Sequence, residues 1–408
     1  MLAAARTRIA SMLDECPRAI VSFSGGKDST ALLHLVMEAI QSRPGRSVAL
    51  LFIDLEAQYT MTIDHVAALY AQYAQHIDPF WLALPLSLRN AVSQFEPRWQ
   101  CWDPDRRSDW VREPPPIAIV DGKKFPWFTR GMEFEELVES FADWYSQGDL
   151  TACFVGIRSD ESLNRYRTLR MRKSRWRGRG WTTRKGAWAV NAYPIYDWRT
   201  EDIWTYIGRS GLPYNRLYDR MHAAGLSIHQ MRICQPYGDD QRKGLWLYHL
   251  IEPQTWGRIV ARVNNANGGA LYAQTTGNVL GVGKVTLPGG QTWESFAKLL
   301  LDSLPPITRD RFDQKIRAFL QWWGHKGYSR IPDAADTKLE ADRKVPSWRR
   351  ICKTLLRYDY WCKGLSFSQP ISSDQKKRYA HRGKVKRSQR AKRLQAMGLP
   401  AEEHPWTR

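Results

Sequence analysis

The stretch Ala19-Ile-Val-Ser-Phe-Ser-Gly-Gly-Lys-Asp-Ser-Thr30 decides the fold. Ala19–Phe23 is apolar and β-branched, as a short buried strand would be, and Ser24–Ser29 reads as a turn. From Asp28 to about Gln41 the apolar residues Leu32, Leu33, Val36 and Ile40 recur at helical spacing. Strand, glycine turn and helix start together make an anion site. The first-turn amides of a helix lack internal partners, and its dipole favours negative charge there. Gly25 and Gly26 permit close backbone approach, Ser24 and Ser29 add hydroxyl donors, and Lys27 adds a mobile cation. The spacing fits neither G-x-x-x-x-G-K-[ST] nor G-x-G-x-x-G.

Working outward, Val48–Asp54 is a continuous apolar run ending in an acid, as in a buried parallel strand, with Glu56 just beyond. Thr60 to about Gln75 predicts a helix and Phe80–Leu84 a third strand. Alternation of strand and helix implies a doubly wound, mainly parallel α/β sheet. Residues 85–132 interrupt it with Trp99, Cys101, Trp102, Trp110, three prolines at 114–116 and Trp127, and read as an insertion. A buried structural role is expected for Cys101. Glu133–Gln147 predicts a helix and Thr151–Ile157 a fourth strand. That strand delivers Gly156-Ile-Arg-Ser-Asp-Glu-Ser162, where Arg158 suits a phosphate because its planar fork donates two hydrogen bonds at once.

Between Arg165 and Lys185 stand ten Lys or Arg, and no acid falls between Glu161 and Asp197. Arg165, Arg167, Arg170, Arg172, Lys173, Arg175, Arg177 and Arg179, interleaved with Trp176, Trp181 and Trp188, are candidate phosphate or nucleic-acid contacts. In Tyr193-Pro-Ile-Tyr-Asp-Trp-Arg-Thr-Glu-Asp-Ile-Trp204, Thr200 is the expected N-cap, and Ile203, Trp204 and Ile207 the buried stripe. Beyond it, His229, Arg232 and Asp239 could complete the site or serve structure alone. Helices are expected at Leu245–Ile251, Gln254–Val263, Thr292–Leu304, Thr308–Trp323 and Ser347–Trp361, with a Gly/Asn-rich loop at 264–283. Residues 376–393 hold ten Lys or Arg, a candidate basic arm for nucleic acid.

The net charge of +20 points to an anionic partner, nucleotide or nucleic acid. No 18-residue apolar run occurs, so no membrane span is expected, and Met1–Cys16 reads as an amphipathic helix. Six scattered Cys without C-x-x-C suggest reduced thiols in a cytoplasm and offer no local zinc or iron–sulfur motif.

Ser24–Ser29 resembles the PP-loop of the ATP pyrophosphatase superfamily. Gly156–Ser162, the Phe52-Ile-Asp54 string and the Pro194–Trp204 motif, in that family's order, resemble phosphoadenylylsulfate (PAPS) reductases over roughly residues 15–220. The resemblance implies an adenine-nucleotide α-hydrolase-like fold that binds ATP and Mg²⁺. It implies nucleotide contacts from Ser24, Gly25, Gly26, Lys27, Asp28, Ser29, Asp54, Gly156 and Arg158. Catalytic roles would fall to Lys27, Asp28 and Arg158, with Asp28 as a magnesium ligand. The C-terminal Glu-Cys-Gly-Leu-His motif of the reductases is missing, which puts PAPS reduction in doubt. The segment 221–250 looks like that of PAPS-reductase-like proteins of the IbrA type, which work with a ParB-like partner. Expected domains are an α/β nucleotide-binding domain at 1–220, a mainly helical one at 221–370 and a basic tail at 371–408. The activity expected is cleavage of ATP between its α and β phosphates to adenylylate an acceptor, in a nucleic-acid-linked regulatory or phage-defence role. The alternative is a non-catalytic, nucleotide-sensing co-regulator.

Overall fold

A computed structural model describes residues 1–90, 96, 98–161, 165, 169, 175–185, 188–233, 244–263, 287, 290–304, 306–356, 362–365 and 395. The described chain forms two compact units, the first running to the helix that ends at Arg262 and the second built from the helices beyond it.

The first unit opens with α1 (Leu2–Glu15), which buries Ala5, Ile9, Met12 and Leu13 as the amphipathic reading requires. Next come β1 (Arg18–Phe23), α2 (Lys27–Gln41), β2 (Val48–Ile53), α3 (Thr60–Gln72) and β3 (Ile77–Leu82). The 85–132 segment holds a hairpin of β4 (Ser87–Arg89) and β5 (Arg98–Gln100) and two 3-10 turns. Then follow α4 (Phe134–Ser146), β6 (Thr151–Val155), β7 (Thr182–Lys185), β8 (Ala189–Ala192), α5 (Thr200–Ser210), α6 (Leu217–Ala223), α7 (Leu245–Ile251) and α8 (Pro253–Arg262). The sheet order is β3-β2-β1-β6-β8-β7, parallel except for β7. This is the mainly parallel α/β sheet expected. Because consecutive side chains alternate between sheet faces, Val21, Phe23, Leu50, Phe52, Phe154 and Val190 share one face. They pack there with Leu32, Leu33 and Val36 of α2 into the main core.

Several local readings shift. The third strand begins at Ile77, earlier than the expected Phe80, because β3 is an edge strand and tolerates Pro79, whose missing N–H leaves no central ladder bond unmade. Thr200 is the first residue of α5 rather than its N-cap. Arg199 caps, and its N–H donates to Asp202 Oδ2 at 2.7 Å. In the buried stripe Tyr206 stands beside Ile203 and Ile207, while Trp204 is half-buried against Tyr214 and Tyr218. The first unit also reaches past the expected boundary at 220: Tyr248 stacks on Tyr59 at 3.7 Å, and Arg262 reaches Glu56.

The second unit comprises α9 (Trp293–Asp302), α10 (Pro306–Gly324), α11 (Thr337–Ala341) and α12 (Trp348–Leu356). Phe312, Phe319, Trp323, Ile351 and Cys352 form its core. The short α11, capped by the Asp336 carboxylate, is one the sequence reading lacked. The loop at 264–283, residues 357–361 and the basic run at 376–393 lie outside the described residues. No helix among the described residues is long and apolar enough to cross a membrane.

Candidate functional site

The loop after β1 is shaped from within. Gly25 takes φ +73°, a conformation L side chains rarely adopt, and a Cβ there would lie 2.8 Å from Thr62 Cγ2 and 3.0 Å from Val66 Cγ2. Asn215 Nδ2 donates to both the Gly25 carbonyl and Thr62 Oγ1 at 3.0 Å, tying the turn to α3. The Ser24 and Ser29 hydroxyls lie 3.0 Å apart, and Ser29 Oγ also donates to the Gly26 carbonyl at 3.0 Å. Gly26 has an ordinary φ of −83° and serves as N-cap of α2. Close approach is instead a property of Gly156: a Cβ there would sit 3.0 Å from the Ser29 nitrogen and 3.1 Å from the Asp28 carbonyl carbon.

Two cations are buried at this helix start. Lys27 is 5% exposed. Its backbone N–H donates to the Tyr218 hydroxyl at 2.9 Å, its Nζ donates to the Met231 carbonyl at 3.2 Å, and Nζ lies 3.7 Å from Asp28 Oδ2. Arg158 is 2% exposed and pairs through Nε with Asp28 Oδ1 at 2.5 Å. One N–H of Nη1 donates to the Trp198 carbonyl at 3.4 Å and one of Nη2 to Thr200 Oγ1 at 3.3 Å, which leaves two of the five guanidinium donors for a ligand. Thr200 therefore anchors Arg158 instead of capping α5.

These residues form one end of a cavity of about 780 Å³. Ser24, Gly26, Lys27, Asp28, Ser29, Gly156 and Arg158 all line it, together with Arg165, His229 and Arg232. Apart from Gly25, which faces Thr62 and Val66 of α3, the sequence-predicted loop residues and Arg158 are thus brought to one place. His229 Nε2 lies 3.2 Å from Glu201 Oε1 in the first turn of α5, and Arg232 donates to the Glu161 carbonyl at 2.5 Å. Arg199 and Glu201, which the sequence reading did not single out as site residues, also face the cavity.

Asp54 is not brought there. It is fully buried and its carboxylate is spoken for: Arg112 and the Glu56 N–H donate to Oδ1 at 2.5 and 3.0 Å, and Trp81 Nε1 donates to Oδ2 at 2.8 Å. Glu56 is equally buried and accepts from Arg262 Nε at 2.8 Å and from the N–H groups of Trp102 and Val111. The acids at the end of β2 therefore clamp the 98–112 insertion and α8 in place. Asp28, the expected magnesium ligand, is charge-compensated by Arg158 and Lys27. Among the described residues no cluster of three or more His, Cys, Asp or Glu could hold a metal.

The basic segment divides. Arg167, Arg170, Arg172 and Lys173 lie outside the described residues. Arg177 and Arg179 pair with Glu15 of α1 and flank the ring of buried Trp176 at 4.8 and 5.0 Å. Burial alone would raise the Glu15 carboxyl, but hydrogen bonds from Arg179 and Ser11 hold it below its usual value. Arg165 pairs with Glu161 at 3.4 Å. Gly180 packs against the Arg175 guanidinium, with a Cβ there 3.6 Å from its Cζ. Cys16, Cys101, Cys153, Cys352 and Cys362 are buried. Burial pushes the Cys101 thiol far up and that of Cys153, which lines the cavity, up to about 12. Neither is a thiolate nucleophile at neutral pH. Cys234 and Asp239 lie outside the described residues.

Residues 18–230 match the phosphoadenosine phosphosulfate reductase domain, and the chain belongs to that family. Residues 225–335 match a domain of unknown function, DUF3440. The chain is 44% identical over 393 residues to the uncharacterized protein YbdN of Escherichia coli K12, covering 95% of both. It is 36% identical over 57 residues to adenosine 5'-phosphosulfate reductase 2 of Bacillus subtilis, 14% of this chain and 24% of that protein. Among solved structures, a PAPS reductase from Candida auris in complex with phosphate aligns at 13% identity, covering 58% of this chain and 89% of that one. The TM-score of that alignment is 0.30.

Proposed function

We propose that the chain binds ATP with its β,γ-pyrophosphate on Ser24–Ser29 and transfers the adenylyl group to an acceptor. The observation that carries this is the burial of Lys27 and Arg158 at the N-terminus of α2, at one end of a cavity large enough for a nucleotide. Membership in a nucleotide-acting family supports the same reading. An acceptor oxygen attacks the α-phosphorus, the α–β bridging bond breaks, pyrophosphate leaves, and the acceptor's proton passes to solvent. The first-turn amides, the Ser24 and Ser29 hydroxyls and Lys27 hold the charge that grows on the leaving pyrophosphate. Losing one such donor typically costs ~100-fold or more in rate. Asp28 holds Lys27 and Arg158 in register. Reduction of a sulfonucleotide is not proposed, because the reductase cysteine motif is missing from the sequence and the Cys153 thiol is held protonated.

The test is product analysis of α-labelled and γ-labelled ATP, with nucleic acid, sulfate and carboxylic acids as acceptors and Lys27→Ala as control. Release of pyrophosphate by wild type and its loss in Lys27→Ala is expected; orthophosphate and ADP would contradict the reading.

A second reading is favoured by one contact set. Tyr218 and Met231 already engage the Lys27 amide and ammonium, so an arriving phosphate must displace the 217–233 segment. Such a shift could report nucleotide binding to a ParB-like partner or nucleic acid without turnover. Tight ATP binding with no product under any acceptor would favour this regulator.

A further inference from the structure

The cavity continues beyond the phosphate end into an arm between α4 and the second face of the sheet. Its walls are apolar: Ile20, Leu51 and Cys153 from the strands, Val138, Phe141 and Ala142 from α4. Two uncharged polar residues, Ser22 of β1 and Asn191 of β8, share that sheet face and also line the cavity. The charged lining residues belong instead to the loop and to segments 158–165, 199–201 and 229–232, beyond the strands' carboxyl ends.

A half-buried carboxamide on an interior strand, facing a cavity, calls for an explanation. Asn191 Nδ2 lies 3.4 Å from the Tyr193 hydroxyl, a long contact. Its register partner is Cys153, whose partner in turn is Ile20, four residues before Ser24. Two strand spacings and four residues along the strand put Asn191 ~16 Å from the loop, a span that suits a nucleotide stretched from its terminal phosphate to its base. An arm without charges does not suit a second anion. A hydrocarbon would leave the carboxamide facing apolar groups, which is costly. A flat, uncharged, hydrogen-bonding group suits both walls and carboxamide.

We infer that the arm takes the base of the nucleotide and that Asn191 selects adenine there. A carboxamide accepts from the N6 amino group and donates to N7 of adenine, whereas guanine presents two acceptors on that edge. This rests on the nucleotide reading given above and adds to it the residue that sets base identity. The discrimination expected of such a bidentate pair is roughly tenfold to a hundredfold in affinity.

The experiment is calorimetric titration of the full chain with ATP, GTP and inorganic tripolyphosphate. Wild type should bind ATP roughly tenfold to a hundredfold more tightly than GTP. Asn191→Leu should erase that preference and leave tripolyphosphate binding unchanged, so the polyphosphate titration doubles as a check of the folded loop. Ala142→Phe, which fills the arm from the helix side, should lower ATP affinity to that of tripolyphosphate. If both variants bind tripolyphosphate normally and still prefer ATP, the base assignment is wrong while the nucleotide reading stands. If wild type binds neither ATP nor tripolyphosphate, the nucleotide reading falls, and this inference with it.

Discussion

Replacing Arg158 with Met isolates the central ion pair. Arg158 Nε meets Asp28 Oδ1 at 2.5 Å, with the side chains 2% and 18% exposed. Removing one partner of a fully buried pair costs about 3–5 kcal/mol, because the other charge is left uncompensated. Asp28 keeps some access to water and lies 3.7 Å from Lys27, so about 2–3 kcal/mol is the expected loss here. For a unit of this size that lowers the melting temperature by roughly 4–12 °C. The ligand should feel the change more sharply. An anion entering the variant loses a charge-assisted donor, about 1.5–3 kcal/mol or roughly tenfold to 150-fold in affinity. It also meets a carboxylate no longer neutralised by Arg158. The assay is a thermal scan followed by tryptophan fluorescence, paired with calorimetric titration of pyrophosphate. The double variant Asp28→Asn/Arg158→Met should recover part of both losses, since no stranded carboxylate remains; a coupling of about 1–3 kcal/mol is expected for groups in contact. Wild-type pyrophosphate affinity and melting temperature in Arg158→Met would show that Arg158 neither compensates Asp28 nor meets the anion.

Three further outcomes follow from the same geometry. Gly25→Ala should destabilise the fold by about 1–3 kcal/mol in chemical denaturation, since φ is +73° and the added Cβ meets Thr62 at 2.8 Å. Tyr218→Phe frees the Lys27 amide from its present acceptor, so pyrophosphate affinity should rise by up to roughly tenfold in the same titration. Burial, and secondarily the nearby His34, push the His65 imidazole down to about 4, so the folded state binds fewer protons than the unfolded one. The stability contributed is then fully present above about pH 6.5 and is lost as pH falls from there towards 4, by about 3 kcal/mol, and His65→Gln should flatten that slope in denaturant titrations.

The turn at Ser24–Ser29 was legible because its signals are local: an apolar strand, two glycines and a helical stripe within 23 consecutive residues, 19–41. Arg158 was legible because a strand end presents it. Asp54 was misplaced for the opposite reason. Its partners, Arg112 and Trp81, stand 58 and 27 residues away, and no local pattern distinguishes a carboxylate bound by them from one facing a ligand. The same holds for Glu56 and Arg262, 206 residues apart. Thr200 looked like a cap because Thr before two acids usually is one; only the fold brings Arg158 to its hydroxyl. Asn191 carried a faint signal, a lone amide between Val190 and Ala192 in a strand that proves interior. Reading it required the register that pairs β8 with β6.

Phosphate binding at Ser24–Ser29 stands or falls on the affinity of the full chain for inorganic pyrophosphate, wild type against Lys27→Ala, at physiological salt. The chain carries 61 Lys and Arg, so a diffuse attraction to its overall charge would scarcely notice the loss of one. A built site would lose one charge-assisted donor, about 1.5–3 kcal/mol. At least a roughly tenfold drop is expected in Lys27→Ala; equal binding by both proteins would contradict a built site.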